Sequence, residues 1–473
     1  MAETEKETEV QESQDYQDYQ ETVETIYEQF SALMEEKRYA ELIHIAQELH
    51  PIDVAACLEN LDDKQKVAVF RMLQKDTAAE VFAELDSDVQ ETLISAMTDV
   101  ELGRIVDELF SDDAVTLLQE MPANVVMRIM RSAKHETRKE LNRLLAYPED
   151  SAGSVMTGEF LELRKHMTRE QAVAFIRQKG KNAETVYVAY VTDSQRHLEG
   201  SVTLKDLLFA EEGEALEGFM TTNVPYVTTH DDQETVSQTI AKYDLMVLPV
   251  VDKENRLVGV VTFDDAMDVM EEEVTEDIEK MAAILPSDKP YLKDTVWDIF
   301  RRRIPWLLVL MLSATVTGAI ITFYESALGG WVILTAFMPM IMGTGGNAGG
   351  QSSMTVIRAL SIGEVELRDA ARVLWKEIRV ALLCGVVMGI ATFIKLFLLD
   401  LHMDVASLPV ALVISITLVV TVVMAKVVGS MLPIAVKRIG LDPAVMASPF
   451  VTTIVDALSL VVYFEIACAM LGV

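Results

Sequence analysis

The chain is poor in the residue types that several function classes require. Its three cysteines, Cys57, Cys384 and Cys468, are scattered singly through 473 residues, which fits neither a disulfide framework nor a cysteine-type zinc site. None of its seven histidines has a partner at ligand spacing, so metal catalysis of the histidine-rich kind is unsupported. Positive charge is scarce over a long stretch: residues 1–300 hold 28 Lys and Arg against 64 Asp and Glu. A field of that sign repels phosphates and draws cations, which excludes a DNA or RNA partner. No nucleophile, base and orienting residue combine in a motif, so an enzyme is the least supported class and no catalytic residue is assigned. The N-terminus, MAETEKETEV, has no basic stretch followed by an apolar one. Without a signal peptide, the acidic region is expected to stay in the cytoplasm.

What is present divides into two halves. Half of the residues are hydrophobic while the net charge is −34, a pairing that one soluble globule does not carry. Residues 301–473 hold 10 acids and 12 bases, so the acidity lies wholly upstream of them. Residues 1–24 have almost no aliphatic side chains and are expected to form a disordered acidic tail. Over 25–150 a helical period returns, interrupted every eleven to fourteen residues by starts such as Asp62-Asp63, Asp86-Ser87-Asp88, Asp99 and Asp112-Asp113. Aspartate accepts the free N–H groups of a helix start, so these predict caps on an all-α superhelix of short helices.

Residues 151–270 change period and repeat internally. Val155-Met156-Thr157 recurs as Phe219-Met220-Thr221, and Gly200-Ser201-Val202-Thr203-Leu204-Lys205-Asp206 recurs as Gly259-Val260-Val261-Thr262-Phe263-Asp264-Asp265. Each copy combines helices with two β-branched strands. This duplication resembles a tandem pair of cystathionine-β-synthase (CBS) modules, over about 151–214 and 215–270. A strongly acidic helix follows, with Asp264, Asp265, Asp268, Glu272, Glu273, Glu276 and Asp277 at i, i+3 and i, i+4 steps. Its continuation over 271–300 is expected to link the modules to the membrane half. Like charges at those spacings destabilise a helix, so a positive partner is expected against them.

After Arg301-Arg302-Arg303 the sequence turns apolar, with five candidate spans near Ile304–Phe323, Gly330–Gly343, Ile378–Leu399, Leu408–Gly429 and Ala444–Met470. If they alternate, every Lys and Arg except Lys395 falls on one side, while Glu325 and Asp400 to Asp404 fall opposite. The positive-inside rule then puts the N-terminus in the cytoplasm and the C-terminus outside. Pro339 and a run of glycines from Gly343 to Gly350 predict a break in the second span, which is tolerated only where backbone lines a watery path. Asp456 lies in an otherwise apolar span, at a cost of ~2.5 kcal/mol or more unless it faces a cavity or partner. With Thr452 and Thr453 one turn away, the local ligands are all oxygen, a set suited to Mg2+ or Ca2+. Glu465, Lys395 and Lys426 are expected to reach the membrane interface.

The order of parts, with GTGGNAGGQS in the second span and PFVTTIVD in the fifth, resembles the MgtE family of bacterial magnesium channels. The resemblance implies a multidomain membrane protein: helical N-domain, α/β CBS pair, acidic linking helix, and a five-helix pore domain over 301–473. It implies a homodimer in the cell membrane with its pore between the subunits. Gly345, Gly346, Asn347, Thr452 and Thr453 would line that pore, and Asp456 would hold hydrated Mg2+. Closure by cytosolic Mg2+ would use Asp232, Asp244, Asp265, Asp268, Glu273, Glu276 and Asp277, with Asp112 as the N-domain's share. In the CBS pair the resemblance allows ATP, with Asp206 on the ribose. The chain departs from the family pattern in two places: Thr116 and Leu117 follow Asp112-Asp113 by one turn, and Ser448 stands where members often have Asn. Rival classes are a proton- or sodium-coupled carrier, which predicts a second broken span, and a nucleotide-binding membrane scaffold without a pore, which leaves Asp456 unexplained.

Overall fold

The computed structural model describes residues 29–34, 36–287, 291, 292, 294–324, 331–400, 407–446 and 448–472. The tail expected at 1–24 lies outside them, as do Glu325 and Asp404 of the connectors. The chain forms two compact units, divided between Val269 and Met270.

In the first unit, helices α1 (Tyr39–Glu48) to α9 (His135–Leu144) follow one another closely. Each is 8 to 10 residues long, too short to persist alone in water. They are held by burial of one face: Val54, Leu58, Val81, Phe82, Leu102 and Ile129 are fully buried. The capping expectation holds at α3 (Asp63–Phe70), where Asp62 accepts from the N–H groups of Lys64 and Gln65. At α6 (Asp99–Val106) it is off by one residue, because Thr98 closes the capping box. At α7 (Ser111–Glu120) Phe110 occupies the N-cap, and Asp112 and Asp113 fall in the first turn, where they still meet the positive end of the helix.

The repeat gives two three-stranded sheets. Strands β1 (Glu162–Leu163), β2 (Val188–Thr192) and β3 (Leu198–Thr203) form one, and β4 (Val227–Thr228), β5 (Val247–Val251) and β6 (Leu257–Thr262) the other. In each, the first pair is parallel and the second antiparallel. The two-residue strands β1 and β4 are too short to carry a readable period. Helices α10 (Arg169–Lys179), α11 (Leu204–Phe209), α12 (Gln233–Tyr243) and the start of α13 (Phe263–Met281) complete the modules.

The repeated Met-Thr starts cross between copies: Thr157 pairs with Val260 of the second sheet, and Thr221 with Ser201 of the first. Glycine is required opposite each. A Cβ on Gly259 would lie 2.5 Å from Met156 Sδ, and one on Gly200 would lie 2.7 Å from the Thr221 carbonyl oxygen. The two modules therefore interlock, and their core is continuous with that of the helical domain through Ala152, Met156 and Val227.

The second unit contains α14 (Val296–Phe323), α15 (Met338–Ser361), α16 (Ala370–Lys395), α17 (Leu408–Arg438) and α18 (Ser448–Leu471). Among the described residues, four of these helices, all but α15, are long and apolar enough to cross a membrane. Two expectations are corrected here. The acidic helix does not occupy 271–300: α13 ends at Met281 and α14 begins at Val296. The second span is also unbroken, since α15 runs as one helix through the whole glycine stretch. Pro339 lies in its first turn, where no backbone hydrogen bond is lost. The glycines are supported by close packing: a Cβ on Gly429 of α17 would lie 2.2 Å from the Gly349 carbonyl oxygen of α15. Small residues that let helix backbones touch are a common way to join helices in lipid.

Candidate metal sites

In the membrane half, α18 carries Thr452, Thr453 and Asp456 within little more than one turn. Asp456 is half-buried, and its Oδ1 is buried with no hydrogen-bond partner. An unpaired carboxylate oxygen among apolar helices is costly. Thr453 Oγ1 donates to the Pro449 carbonyl at 2.9 Å, whereas the Thr452 methyl packs where a Cβ on Gly346 would lie, 2.8 Å away. Gly345 and Gly346 are buried, with Gly345 against Thr421, Val455 and Ser459.

Asn347 points the other way. It is exposed in the single chain, in a stripe with Gly343, Gln351, Thr355 and Arg358 along one face of α15. A helix with Asn and Gln on one side is poorly matched to lipid and suited to water or a second subunit. Ser448 lies at the start of α18. Glu465 is exposed and accepts from the Tyr324 hydroxyl at 2.6 Å, and Lys395 lies 5.9 Å from the centre of the Phe337 ring. Lys426 does not reach an interface: it is 6 % exposed and donates to Ser352 Oγ at 3.2 Å. Its position partway along the packed face of α17 leaves its stem no route outward.

The first unit gathers a second set of acids. Asp112 and Asp113 come from α7, Asp264 and Asp265 from the first turn of α13, and Glu159 and Glu184 from irregular segments of the first module. Hydrogen bonds fix the scaffold. Ser111 Oγ donates to Glu159 Oε2 at 2.6 Å and accepts from the Gly158 N–H at 2.9 Å, and Glu184 N–H donates to the Glu159 carbonyl at 2.7 Å. Thr262 Oγ1 donates to Asp265 Oδ2 at 2.5 Å, capping α13.

Burial raises four of these acids, Asp112, Asp113, Glu184 and Asp265, and neighbouring carboxylates reinforce it. Burial carries Asp112 well above the usual carboxylate range, with Asp265, Asp113 and Glu184 adding repulsion. Burial, then Asp265, pushes Asp113 up to about 6 and Glu184 up to about 8. Asp265 is raised by burial against the opposing Thr262 hydrogen bond, with Asp264 and Asp268 adding repulsion. Glu184 Oε2 is buried without a partner. Carboxylates that raise one another in this way attract a divalent cation.

A third set lies in the second unit, at the end of α13. Lys280 donates to Glu276 at 2.7 Å and to Asp442 at 2.8 Å. Burial alone would lower the Lys280 ammonium, but those two carboxylates carry it upward. Asp277 accepts from Ser361 Oγ at 2.9 Å and is raised by burial. Met281 packs with Ile357 and Ala444, anchoring the helix end against α15. The positive partner expected for the acidic helix is thus, in part, its own Lys280. Asp268 is exposed and Glu273 half-buried on the same helix.

The remaining predicted residues are more dispersed. Asp232 is the N-cap of α12 and accepts from the Glu234 N–H, while Asp244 is its left-handed C-cap at φ 51°. The two lie ~18 Å apart, one helix length, so one chain does not bring them to a common ion. Asp206 is tied into the capping box of α11, accepting from the Thr203 hydroxyl at 2.6 Å. Among the described residues, no three Asp, Glu, His or Cys side chains converge tightly enough to hold an ion by themselves. The sequence reading missed Glu159, Glu184 and Asp442 because they sit in irregular segments with no period. The buried charge around them is the signal that marks them.

Comparison with known proteins agrees with this anatomy. Residues 338–466 match the family model described as a divalent cation transporter, MgtE, residues 49–150 match the MgtE intracellular N domain, and residues 216–272 match the CBS domain. The magnesium transporter MgtE of Thermus thermophilus is 37% identical over 93% of this chain and 97% of its own length. That of Bacillus subtilis is 30% identical over 93% of this chain and 96% of its own. A crystal structure of the soluble part of a magnesium transporter, 27% identical, covers 53% of this chain and 99% of that one with a TM-score of 0.51. The chain belongs to the MgtE family of divalent cation transporters.

Proposed function

We propose that the protein is a homodimeric channel that imports Mg2+ across the cell membrane and closes when cytosolic Mg2+ binds its acidic regions. The observation that carries the conduction reading is Asp456, whose buried Oδ1 has no partner in a helix otherwise built for lipid. Its neighbouring donors are oxygens only, which suits a hard cation. Mg2+ keeps most of its water shell, so one carboxylate from each of two subunits, acting through that shell, needs no tight protein cage. The exposed Asn347 and Gln351 on one face of α15 support a path between two subunits, because two side-chain amides one turn apart are poorly matched to lipid. The relatives above are magnesium transporters by name, which supports Mg2+ as the substrate. The five-crossing topology, with the N-terminus in the cytoplasm and the C-terminus outside, rests on the distribution of Lys and Arg.

The regulatory reading rests on two places. In the first unit, burial and mutual repulsion raise Asp112, Asp113, Glu184 and Asp265, and a divalent cation taking the place of their protons would offset that repulsion. In the second, Glu276, Asp277 and Asp442 gather at the end of α13, close to the last turn of α15. Divalent ions at these sites would favour one arrangement of the helix over another, which is the form of a ligand switch.

The test is Mg2+ uptake in cells lacking other importers. Wild type restores uptake, and Asp456→Ala at equal membrane expression does not. Uptake by Asp456→Ala equal to wild type would end the assignment.

A further inference from the structure

A polar chain inside the helical unit has no part in the roles above. Lys426 is 6 % exposed and Ser352 is 2 % exposed, on helices whose other buried residues are apolar or small. The Lys426 ammonium donates to Ser352 Oγ at 3.2 Å, and that hydroxyl donates to Glu377 Oε2 at 2.6 Å. The directions follow from chemistry: an ammonium only donates, an ionised carboxylate only accepts, and a serine hydroxyl does both. One hydroxyl thus relays a buried positive charge on α17 to a carboxylate on α16, and the serine itself belongs to α15.

The location gives this relay a purpose. Gly349 and Gly429 lie three residues from Ser352 and Lys426, one turn along α15 and α17, and their backbones touch. Contact between glycines brings helices close but sets no rotation, because neither partner has a side chain to interlock. A charge-assisted hydrogen bond is directional and supplies what the glycines do not. Asn347 is five residues before Ser352 on the same helix, on its exposed face.

We propose that Lys426 is a positioning residue for ion conduction. With Ser352 and Glu377 it fixes the rotation of α15, and hence the direction in which Asn347 and Gln351 are presented. This rests on the reading that the exposed face of α15 lines the ion path.

The test uses full-length protein in liposomes loaded with a Mg2+-sensitive dye. It compares wild type with Lys426→Met, Glu377→Gln and the double variant, each at equal amounts of monodisperse protein, and the ratio of Mg2+ to Na+ permeability is read alongside flux. Lys426→Met leaves the half-buried Glu377, and Glu377→Gln the buried Lys426, without its charged counterpart; each is expected to lower both flux and selectivity roughly tenfold, in the range of residues coupled in one network. The double variant removes both charges and is expected to recover most of both, whereas a purely structural role would leave selectivity per folded channel unchanged. Single variants within twofold of wild type in flux and selectivity, or a double variant whose losses are the product of the singles, would overturn the proposal. Asp456→Asn, run in parallel, reports on the ion path alone. If it conducts normally the path reading fails, while non-additivity between Lys426 and Glu377 is still read independently from the thermal midpoints of the same four proteins.

Discussion

At the scale of single residues, α15 is a case in which one side chain fewer decides a structure. Gly429 and Gly349 meet backbone to backbone, and a methyl at Gly429 would stand 2.2 Å from a carbonyl oxygen with no flexible group to yield. Gly429→Ala is therefore expected to cost about 1–3 kcal/mol, the usual range for overpacking. Gly318→Ala has open space around it and is expected to be neutral. Thermal unfolding of both variants in detergent checks this, and an unchanged midpoint for Gly429→Ala would contradict the packing account. The same residues show how a motif can be located correctly and read wrongly. A run of glycines with a proline looks like a broken span in one dimension. Only the neighbouring helices reveal that Gly345, Gly346 and Gly349 face α17 and α18, while Gly343 and Asn347 face outward.

At the scale of elements, Asp113 of α7 and Glu184, from the irregular segment before β2, give the first unit a pH dependence whose sign follows from their raised pKa values. The folded unit raises Asp113 from 3.8 to about 6 and Glu184 from 4.5 to about 8. A carboxyl with a raised pKa holds its proton in the folded state at a pH where the unfolded chain has lost it. Without divalent ions, stability therefore falls as pH rises, from about 4 to about 6 for Asp113 and onward to about 8 for Glu184. Mg2+ competes with these protons, so its stabilising effect is expected to be larger near pH 8 than near pH 6. Thermal unfolding of the full chain with chelator or with Mg2+ at the two pH values measures it, and equal Mg2+ shifts at both would count against the cluster as a divalent site.

The elements were legible to unequal degrees. The interlocked modules could be anticipated from two copies of one pattern, since the repeated Met-Thr and Gly positions are the ones that cross between sheets. Glu184 and Asp442 could not, because tertiary packing alone brings them to the acids of α7 and α13.

At the scale of the whole molecule, an acidic half and an apolar half share one chain, and α13 begins in the first compact unit and ends in the second. Asp456 stood out in the sequence because a carboxylate in an apolar run needs a reason. The acids of α13 stood out because like charges one turn apart oppose the helix they form. Of the groups that meet them, Lys280 lies four residues from Glu276 on the same helix, but Asp442, which Lys280 also holds, is 162 residues further on and lay beyond sequence reasoning. The family is one of transporters, in line with the lack of any catalytic constellation in the sequence. The most direct test of the account is Mg2+ current in inside-out membrane patches as cytosolic Mg2+ is stepped from zero to millimolar. Wild-type current is expected to fall as Mg2+ rises, Asp456→Asn to carry none, and a variant with Asp112 and Asp265 changed to Asn to conduct and stay open in millimolar Mg2+. Wild-type current in Asp456→Asn, or full closure of the doubly neutralised variant, would contradict it.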